Sequence, residues 1–544
     1  MAPLIAAALL TPTAPAAANV EEPRPLAAFA GALAAESLGD PQEAARRFAA
    51  ALALAPSSEP LARRALTAAM DAGDRALALR AARALEAAGT TDVRLLLLTD
   101  AFERRAWKEA ALHIDRIEED EAFAFFAPLL RLWVAADSGK GDIRAMLAAL
   151  PEEGLAASYG AEHRPFLLIR SRSGRKEGVA ALAPLTIDRG ERAERLRIAA
   201  AAALARDGRR GEAMALLEGS TSSLTAARAR VAAGRPLPGA LLTAGEGVAD
   251  LLVRFAQDLA GPEVPELAIR FAQLASFFDP RSADARIMTG RLLAERGQHR
   301  AALSVLAQVS TEDPLAPRAA NSKTASLVAL GRGEEAVAAA AAGAASAEGA
   351  ARLGDVLTDL ERHGEAADAY RRALELTRAA TSSARAEWTL ALQLGSALLA
   401  SGRWPEAKAA LQEARRLAPD EAMVLNFLGY AQLERREDLP EAARLIEEAS
   451  RLAPDDASIT DSLGWSHFLR GNTRKAIELL EKAAQAVPAD PAVNEHLGDA
   501  YYVAGRRFEA RFAWQAALTF AQGDVAERLR AKIVAGLTPG LAAP

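Results

Sequence analysis

Residues 457–488, ASITDSLGWSHFLRGNTRKAIELLEKAAQAVP, determine the fold, because their pattern recurs through the C-terminal part of the chain. Its Leu-Gly pair stands at 394–395, 428–429, 463–464 and 497–498, at spacings of 34, 35 and 34 residues. Each pair is followed by an alanine, a large apolar residue and a second alanine at nearly fixed distances. A self-similar period of this length indicates a solenoid of stacked units.

Each unit is predicted to contain two antiparallel helices. Small and large apolar residues recur at i, i+3 and i+4 in both halves of the unit, which is the spacing of an amphipathic helix. The turn between the halves carries Gly402, Gly471 or Gly505, and glycine suits a left-handed helix end. Pro405 and Pro440 follow where the first turn of a second helix tolerates proline.

The pattern resembles the tetratricopeptide repeat (TPR). The unit from Ala457 matches the family pattern with Leu463, Gly464, His467, Ala476, Leu480, Ala483 and Pro488, and the next unit with Leu497, Gly498, Tyr501, Ala510, Trp514 and Ala517. One departure is an inserted residue in the turn 435–439. The resemblance implies an all-α fold, a right-handed superhelical solenoid of antiparallel helix pairs built from TPR and TPR-like repeats.

The repeats become less regular towards the N-terminus. The predicted organisation is a signal peptide or Ala/Pro tail at 1–18, diverged repeats at 19–117, irregular helical hairpins at 118–260, TPR-like repeats at 261–350, a regular array at 351–523, a capping helix at 524–536 and a flexible tail at 537–544. A terminal helix with one charged side is what a solenoid needs to cover its last apolar face.

Composition and motifs exclude several functions. The net charge of −6 and the mixing of both signs do not suit a nucleic-acid surface, and the absence of cysteine excludes thiol chemistry. None of the six histidines lies in an H-E-x-x-H motif, and the Gly139-Lys140-Gly141 run lacks the rest of a P-loop. The sequence therefore predicts no catalytic residue, no cofactor and no metal site. No stretch is long and apolar enough to span a membrane.

The remaining function is binding. In TPR arrays the first helices line a concave groove, and the resemblance places at its lining Asn426, Tyr430, Asp461, Trp465, Phe468, Glu495, Asp499 and Tyr502. Rings flanked by carboxylates suit a peptide with apolar anchors and some basic character. The alternative is that Trp465 and Phe468 are core rings and that the polar side chains are merely solvated.

The sequence predicts a non-enzymatic scaffold or adaptor that binds a partner protein or peptide in this groove. The runs 461–465 and 496–501 resemble bacterial cell-envelope TPR proteins, some of which are adaptors for carboxyl-terminal processing proteases. Apolar residues 3–10 and the alanines 16–18 resemble a secretory signal, which favours a periplasmic or envelope location over the cytoplasm. Two alternatives stay open: a cytoplasmic assembly factor, and an enzyme or regulatory subunit with a site in 118–260.

Overall fold

The computed structural model describes residues 25–171, 173–187, 190–219, 221–261, 264–379, 384–538, 541 and 543. The predicted signal at 1–18 lies outside the described residues, as do four positions of the predicted tail. All regular secondary structure in the described residues is helical, which confirms the all-α prediction. The chain divides into two compact units, Met1–Leu216 with Arg230–Ser310 and Leu217–Ala229 with Thr311–Pro544.

The first unit contains two 3-10 turns (Glu86–Ala88 and Pro184–Thr186) and the helices α1 (Pro25–Ser37), α2 (Pro41–Leu54), α3 (Glu59–Ala72), α4 (Arg75–Ala84), α5 (Thr91–Glu103), α6 (Trp107–Glu118), α7 (Phe126–Ser138), α8 (Ile143–Ala148), α9 (Leu155–Ile169), α10 (Arg175–Leu182), α11 (Glu191–Arg206), α12 (Arg210–Leu216), α14 (Ala244–Asp258), α15 (Pro265–Phe278), α16 (Ala283–Glu295) and α17 (His299–Leu306). Helix α13 (Ser222–Ala232) contributes residues to both units.

The second unit contains α18 (Ala316–Ala329), α19 (Gly333–Ala341), α20 (Ala347–Asp359), α21 (His363–Ala379), α22 (Ala384–Ala400), α23 (Trp404–Leu417), α24 (Ala422–Glu434), α25 (Leu439–Leu452), α26 (Ala457–Leu469), α27 (Thr473–Ala486), α28 (Pro491–Val503), α29 (Arg507–Phe520) and α30 (Gly523–Ala535). Each helix packs against the next along the chain, so that α20 to α29 form five antiparallel pairs. The predicted helix-pair solenoid is confirmed.

The glycine of the Leu-Gly pair lies where the two helices of a repeat approach most closely. A Cβ added at Gly464 would lie 2.8 Å from Cγ of Leu480, and one added at Gly498 would lie 2.4 Å from Cδ1 of Trp514. Leu480 and Trp514 are fully buried. The glycine is therefore required because the large residue of the second helix occupies the space that any side chain would fill.

The ends of the helices follow from local chemistry. The Asp456 side chain accepts a hydrogen bond from the backbone N–H of Ile459 and caps α26. Gly471 adopts a φ of 80° between α26 and α27, in the left-handed region predicted for this turn. The inserted turn before α25 instead places Asp438 at a φ of 47°, and its side chain accepts from the Glu441 N–H.

The first unit has a core of aromatic rings. Phe255 lies at the centre of this cluster, with ring centroids 4.8 Å from Phe271 and 5.1 Å from Phe126. Both rings meet Phe255 nearly edge to face, an arrangement favoured by the charge distribution of aromatic rings. The irregular segment predicted at 118–260 thus consists of helices that share an apolar core with α15.

Candidate protein-binding groove

The first helices of the last three repeats form a continuous layer, because α24 contacts α26 and α26 contacts α28. They carry all eight residues that the sequence analysis predicted for partner binding. The surface of α24, α26 and α28 is called the groove face below.

A stack of three rings crosses the groove face. The Trp465 ring lies between Phe468 and the His496 imidazole, at centroid distances of 4.6 and 4.2 Å and interplanar angles of 14° and 15°. Trp465 has no exposed surface, whereas Phe468 is partly exposed. Trp465 is therefore a core ring that joins α26 to α28, and Phe468 presents one side of the stack to solvent.

An ion pair holds the imidazole in this stack. His496 Nδ1 lies 3.0 Å from both carboxylate oxygens of Asp461, and both residues are buried. Burial disfavours the charged imidazole, but the Asp461 carboxylate outweighs burial and raises the pKa of His496 above its ordinary value of 6.5. Asp461 is thus a counter-ion of the array, not a free negative charge on the groove face.

The other two carboxylates, Glu495 and Asp499, are neutralised by helix α30. Lys532 Nζ lies 2.6 Å from Glu495 Oε1 and 2.8 Å from each oxygen of Asp499, and the lysine has no exposed surface. Arg528 donates two hydrogen bonds of 2.8 Å to Glu495. The attraction between the paired charges and their hydrogen bonds offset the desolvation penalty of burying them.

Burial and the cations act differently on the two carboxylates. Burial raises the pKa of Glu495, but Arg528 and Lys532 outweigh it and the net pKa lies below 4.5. Burial of Asp499 is only partly offset by Lys532, and the pKa of Asp499 lies above 3.8. Asp499 Oδ1 also accepts a hydrogen bond of 2.9 Å from Trp514 Nε1, which ties the groove face to the core of the last repeat.

The exposed part of the groove face is aromatic and amide rather than acidic. Four of the eight predicted residues are partly exposed: Asn426, Tyr430, Phe468 and Tyr502. The Asn426 Oδ1 atom is itself buried and has no hydrogen-bond partner among the described residues. The surface therefore offers apolar rings and a partly exposed amide side chain to a ligand, while the predicted negative charge is neutralised within the array.

The sequence analysis missed the cations that neutralise these carboxylates. Glu495 and Asp499 are four residues apart on α28, and Arg528 and Lys532 are four apart on α30, each 33 positions after its partner. The signal in the sequence was that the two carboxylates and the two cations have the same spacing and lie about one repeat period apart. It identifies α30 as a further first helix, packed through Leu529 against the Trp514 cluster.

The segment 118–260 contains a buried charged cluster. Asp250 lies within hydrogen-bond distance of Arg192 and 3.4 Å from Arg195. Burial lowers the pKa of the nearby His163 to about 4, and the Nδ1 atom of this neutral imidazole accepts a hydrogen bond of 3.2 Å from Trp133. These groups pair with one another in the core.

A cavity of about 670 Å³ in the described part of the first unit is lined by residues between 38 and 75 and between 273 and 308. It lies outside the segment 118–260.

In the described part of the chain, no group of three or more His, Asp or Glu side chains is arranged to hold a metal ion. Among the described helices, none combines the length and the apolar character needed to cross a membrane.

The paired helices, the glycine contacts and the layer of first helices define a helical-repeat protein of the solenoid class. Two family models, both described as tetratricopeptide repeat, match residues 392–457 and 462–526 and residues 347–379. The chain therefore carries tetratricopeptide repeats in these residues, as its sequence pattern predicted. Proteins of this kind are generally non-enzymatic scaffolds for protein–protein interaction.

Solved structures of MamA resemble parts of the chain. Two are 24% identical and cover 31% and 35% of this chain and 94% and 96% of their own, each with a TM-score of 0.25. A third is 20% identical, covers 33% of this chain and 94% of its own, and has a TM-score of 0.24. A search of curated proteins found no match.

Two of the buried histidines, His496 and His163, are expected to have pKa values shifted in opposite directions. His496 should remain protonated above pH 6.5, so its pairing stabilises the fold below that pH and the contribution is lost as pH rises through the raised pKa. His163 should remain neutral down to about pH 4. The contribution of the buried neutral imidazole to stability is therefore fully present above pH 6.5 and is lost as the pH falls from 6.5 towards 4. NMR titration of histidine-labelled protein measures both pKa values.

Single His496→Gln and His163→Gln variants assign the two signals. A His496 pKa at or below 6.5 would contradict the pairing with Asp461.

Proposed function

We propose that this chain is a non-enzymatic scaffold that binds a partner protein or peptide on the groove face. The observation that carries the proposal is the exposed composition of that face: three partly exposed rings and the partly exposed Asn426 side chain. Aromatic side chains are the usual energetic centres of interfaces.

The chemistry of the face indicates the kind of partner. Because Asp461, Glu495 and Asp499 already have internal cations, a basic peptide gains little from them. An extended segment with apolar or small side chains matches the partly exposed rings better. The proposal thus keeps the predicted peptide partner and replaces its basic character with apolar recognition.

Groove-face variants test this function. Tyr430→Ala removes a partly exposed ring, and Asn426→Leu replaces a partly exposed amide by an apolar side chain with the same branching. In a crosslinking pull-down with the intact protein, each should reduce capture of the partner about tenfold or more, as expected for an interface residue worth roughly 1.5 to 2 kcal/mol. Circular dichroism and melting confirm that each variant is folded.

Phe512→Ala is the matched control, since Phe512 is an aromatic residue that is 58% exposed on the second helix α29. It should leave capture unchanged. Folded Tyr430→Ala and Asn426→Leu variants that retain the partner would overturn the assignment of the groove face.

The location and the adaptor role are also part of the proposal. The apolar run 3–10 and the alanines 16–18 support export to the bacterial envelope, where the protein would act as an adaptor, for example of a processing protease.

If 16–18 form a cleavage site, Ala18→Phe should block processing whereas Ala17→Phe should not, because small residues are needed at the first and third of these positions. Intact mass and cell fractionation measure this; retention of unprocessed wild-type chain in the cytoplasm would contradict it.

A further inference from the structure

The tail that the sequence analysis predicted to be flexible returns to the groove face at Ala543. This alanine is only 8% exposed and belongs to the apolar cluster that contains Leu433, Ile446 and Trp465. Its backbone N–H donates a hydrogen bond of 2.9 Å to Asp499 Oδ2. Two of the predicted partner-binding residues therefore contact the chain's own tail.

The start of the tail is also packed on this surface. Gly536 has a φ of 82°, and a Cβ added there would lie 2.3 Å from the Tyr502 hydroxyl oxygen, so only glycine fits against this ring. Leu537 packs in the cluster that contains Tyr502 and Trp514. Between these contacts and Ala543, the Leu541 N–H donates to the Thr538 carbonyl oxygen at 2.9 Å and makes a turn.

We propose that the tail, through Leu537 and Ala543, is an internal ligand of the groove face, and that an external partner displaces it by binding in the same way. Such a partner is an extended peptide that places a small side chain in the Trp465 cluster and donates a backbone N–H to Asp499. This inference rests on the proposed function and specifies the ligand for one part of the groove face.

The Asp499 carboxylate is held in position to accept a hydrogen bond from a backbone N–H. Lys532 and Trp514 hold it in place from within the array, and Oδ2 accepts from both Lys532 and Ala543. A hydrogen bond to an ionised, fixed carboxylate is stronger than one between neutral groups. The site thus recognises main chain and does not depend on a charged ligand side chain.

The size of the ligand side chain is also restricted. Trp465 has no exposed surface, and Ala543 belongs to the same apolar cluster. A much larger residue in place of Ala543 would therefore require the stack of Phe468, Trp465 and His496 to open. A carboxylate would in addition be placed close to Asp499. The sequence LTPGLAAP at 537–544 has no charged side chain, so side-chain recognition depends on apolar contacts.

Attachment to α30 makes the tail an effective competitor. A short flexible connection gives an effective concentration of roughly millimolar, so a free peptide of the same sequence competes poorly at micromolar concentration. Weakening the attached tail should therefore increase the affinity of the free peptide without any change on the groove face.

The experiment measures binding of a fluorescein-labelled LTPGLAAP-amide peptide to the full chain by anisotropy. Ala543→Glu should release the tail and increase peptide affinity about tenfold or more over wild type. Thr538→Glu adds the same charge at an exposed tail position and should leave affinity at the wild-type level. Equal affinity for all three chains would overturn the proposal.

A second peptide tests the hydrogen bond itself. N-methylation of the alanine that corresponds to Ala543 removes the donor and keeps the small side chain. Binding of this peptide to the Ala543→Glu chain should be about tenfold weaker, since a donor to a buried carboxylate is lost. Equal binding of the methylated and unmethylated peptides would contradict the role of Asp499.

The result separates this inference from the proposed function. If the Tyr430→Ala and Asn426→Leu variants lose the partner but the Ala543→Glu variant gains no peptide affinity, the groove face binds partners and the proposal of an internal ligand is wrong. If Ala543→Glu gains affinity while those two variants keep the partner, the internal ligand is supported and the partner binds elsewhere.

Discussion

The contact between a glycine on the first helix and a large residue on the second determines how the regular array is built. Gly395, Gly429, Gly464 and Gly498 each face a leucine, isoleucine or tryptophan at a distance that leaves no room for a Cβ. The two helices of a repeat are thereby fixed at close range, and the first helices are left to contact one another along the array. The groove face is a consequence of this packing, because its residues lie on the first helices, which contact one another along the array.

The charges of the array are arranged by the same periodicity. Carboxylates on α28 meet cations on α30 one period later, and Asp461 on α26 meets His496 on α28. Successive first helices are thus joined by buried ion pairs as well as by apolar contacts. These ion pairs neutralise the negative charge that the groove would otherwise present to a ligand. The remaining surface consists of rings, an amide and the backbone of the tail.

The repeat pattern allowed the helix pairs, their turns and the eight positions on first helices to be predicted, since each depends on residues within one period. The burial of Trp465 could not be predicted because it depends on His496 in the next repeat and on Ala543 far along the chain. The roles of Arg528 and Lys532 require the knowledge that α30 continues the layer of first helices. The core of the 118–260 segment could not be predicted either, because its rings and charges meet across irregular connections with no period to align them.

Asp499 is an internal counter-ion of Lys532 and not a free acidic residue of the groove. A double-mutant cycle on the free energy of unfolding tests this pairing, with Lys532→Met, Asp499→Asn and the double variant in the full chain. Lys532→Met leaves the buried Asp499 carboxylate uncompensated and should cost about 3 to 5 kcal/mol, whereas Asp499→Asn leaves Lys532 paired with Glu495 and should cost less. The double variant should cost less than the sum, with a coupling of about 1 to 3 kcal/mol. Additive costs with no coupling would contradict the pairing and return Asp499 to the surface that a basic ligand could use.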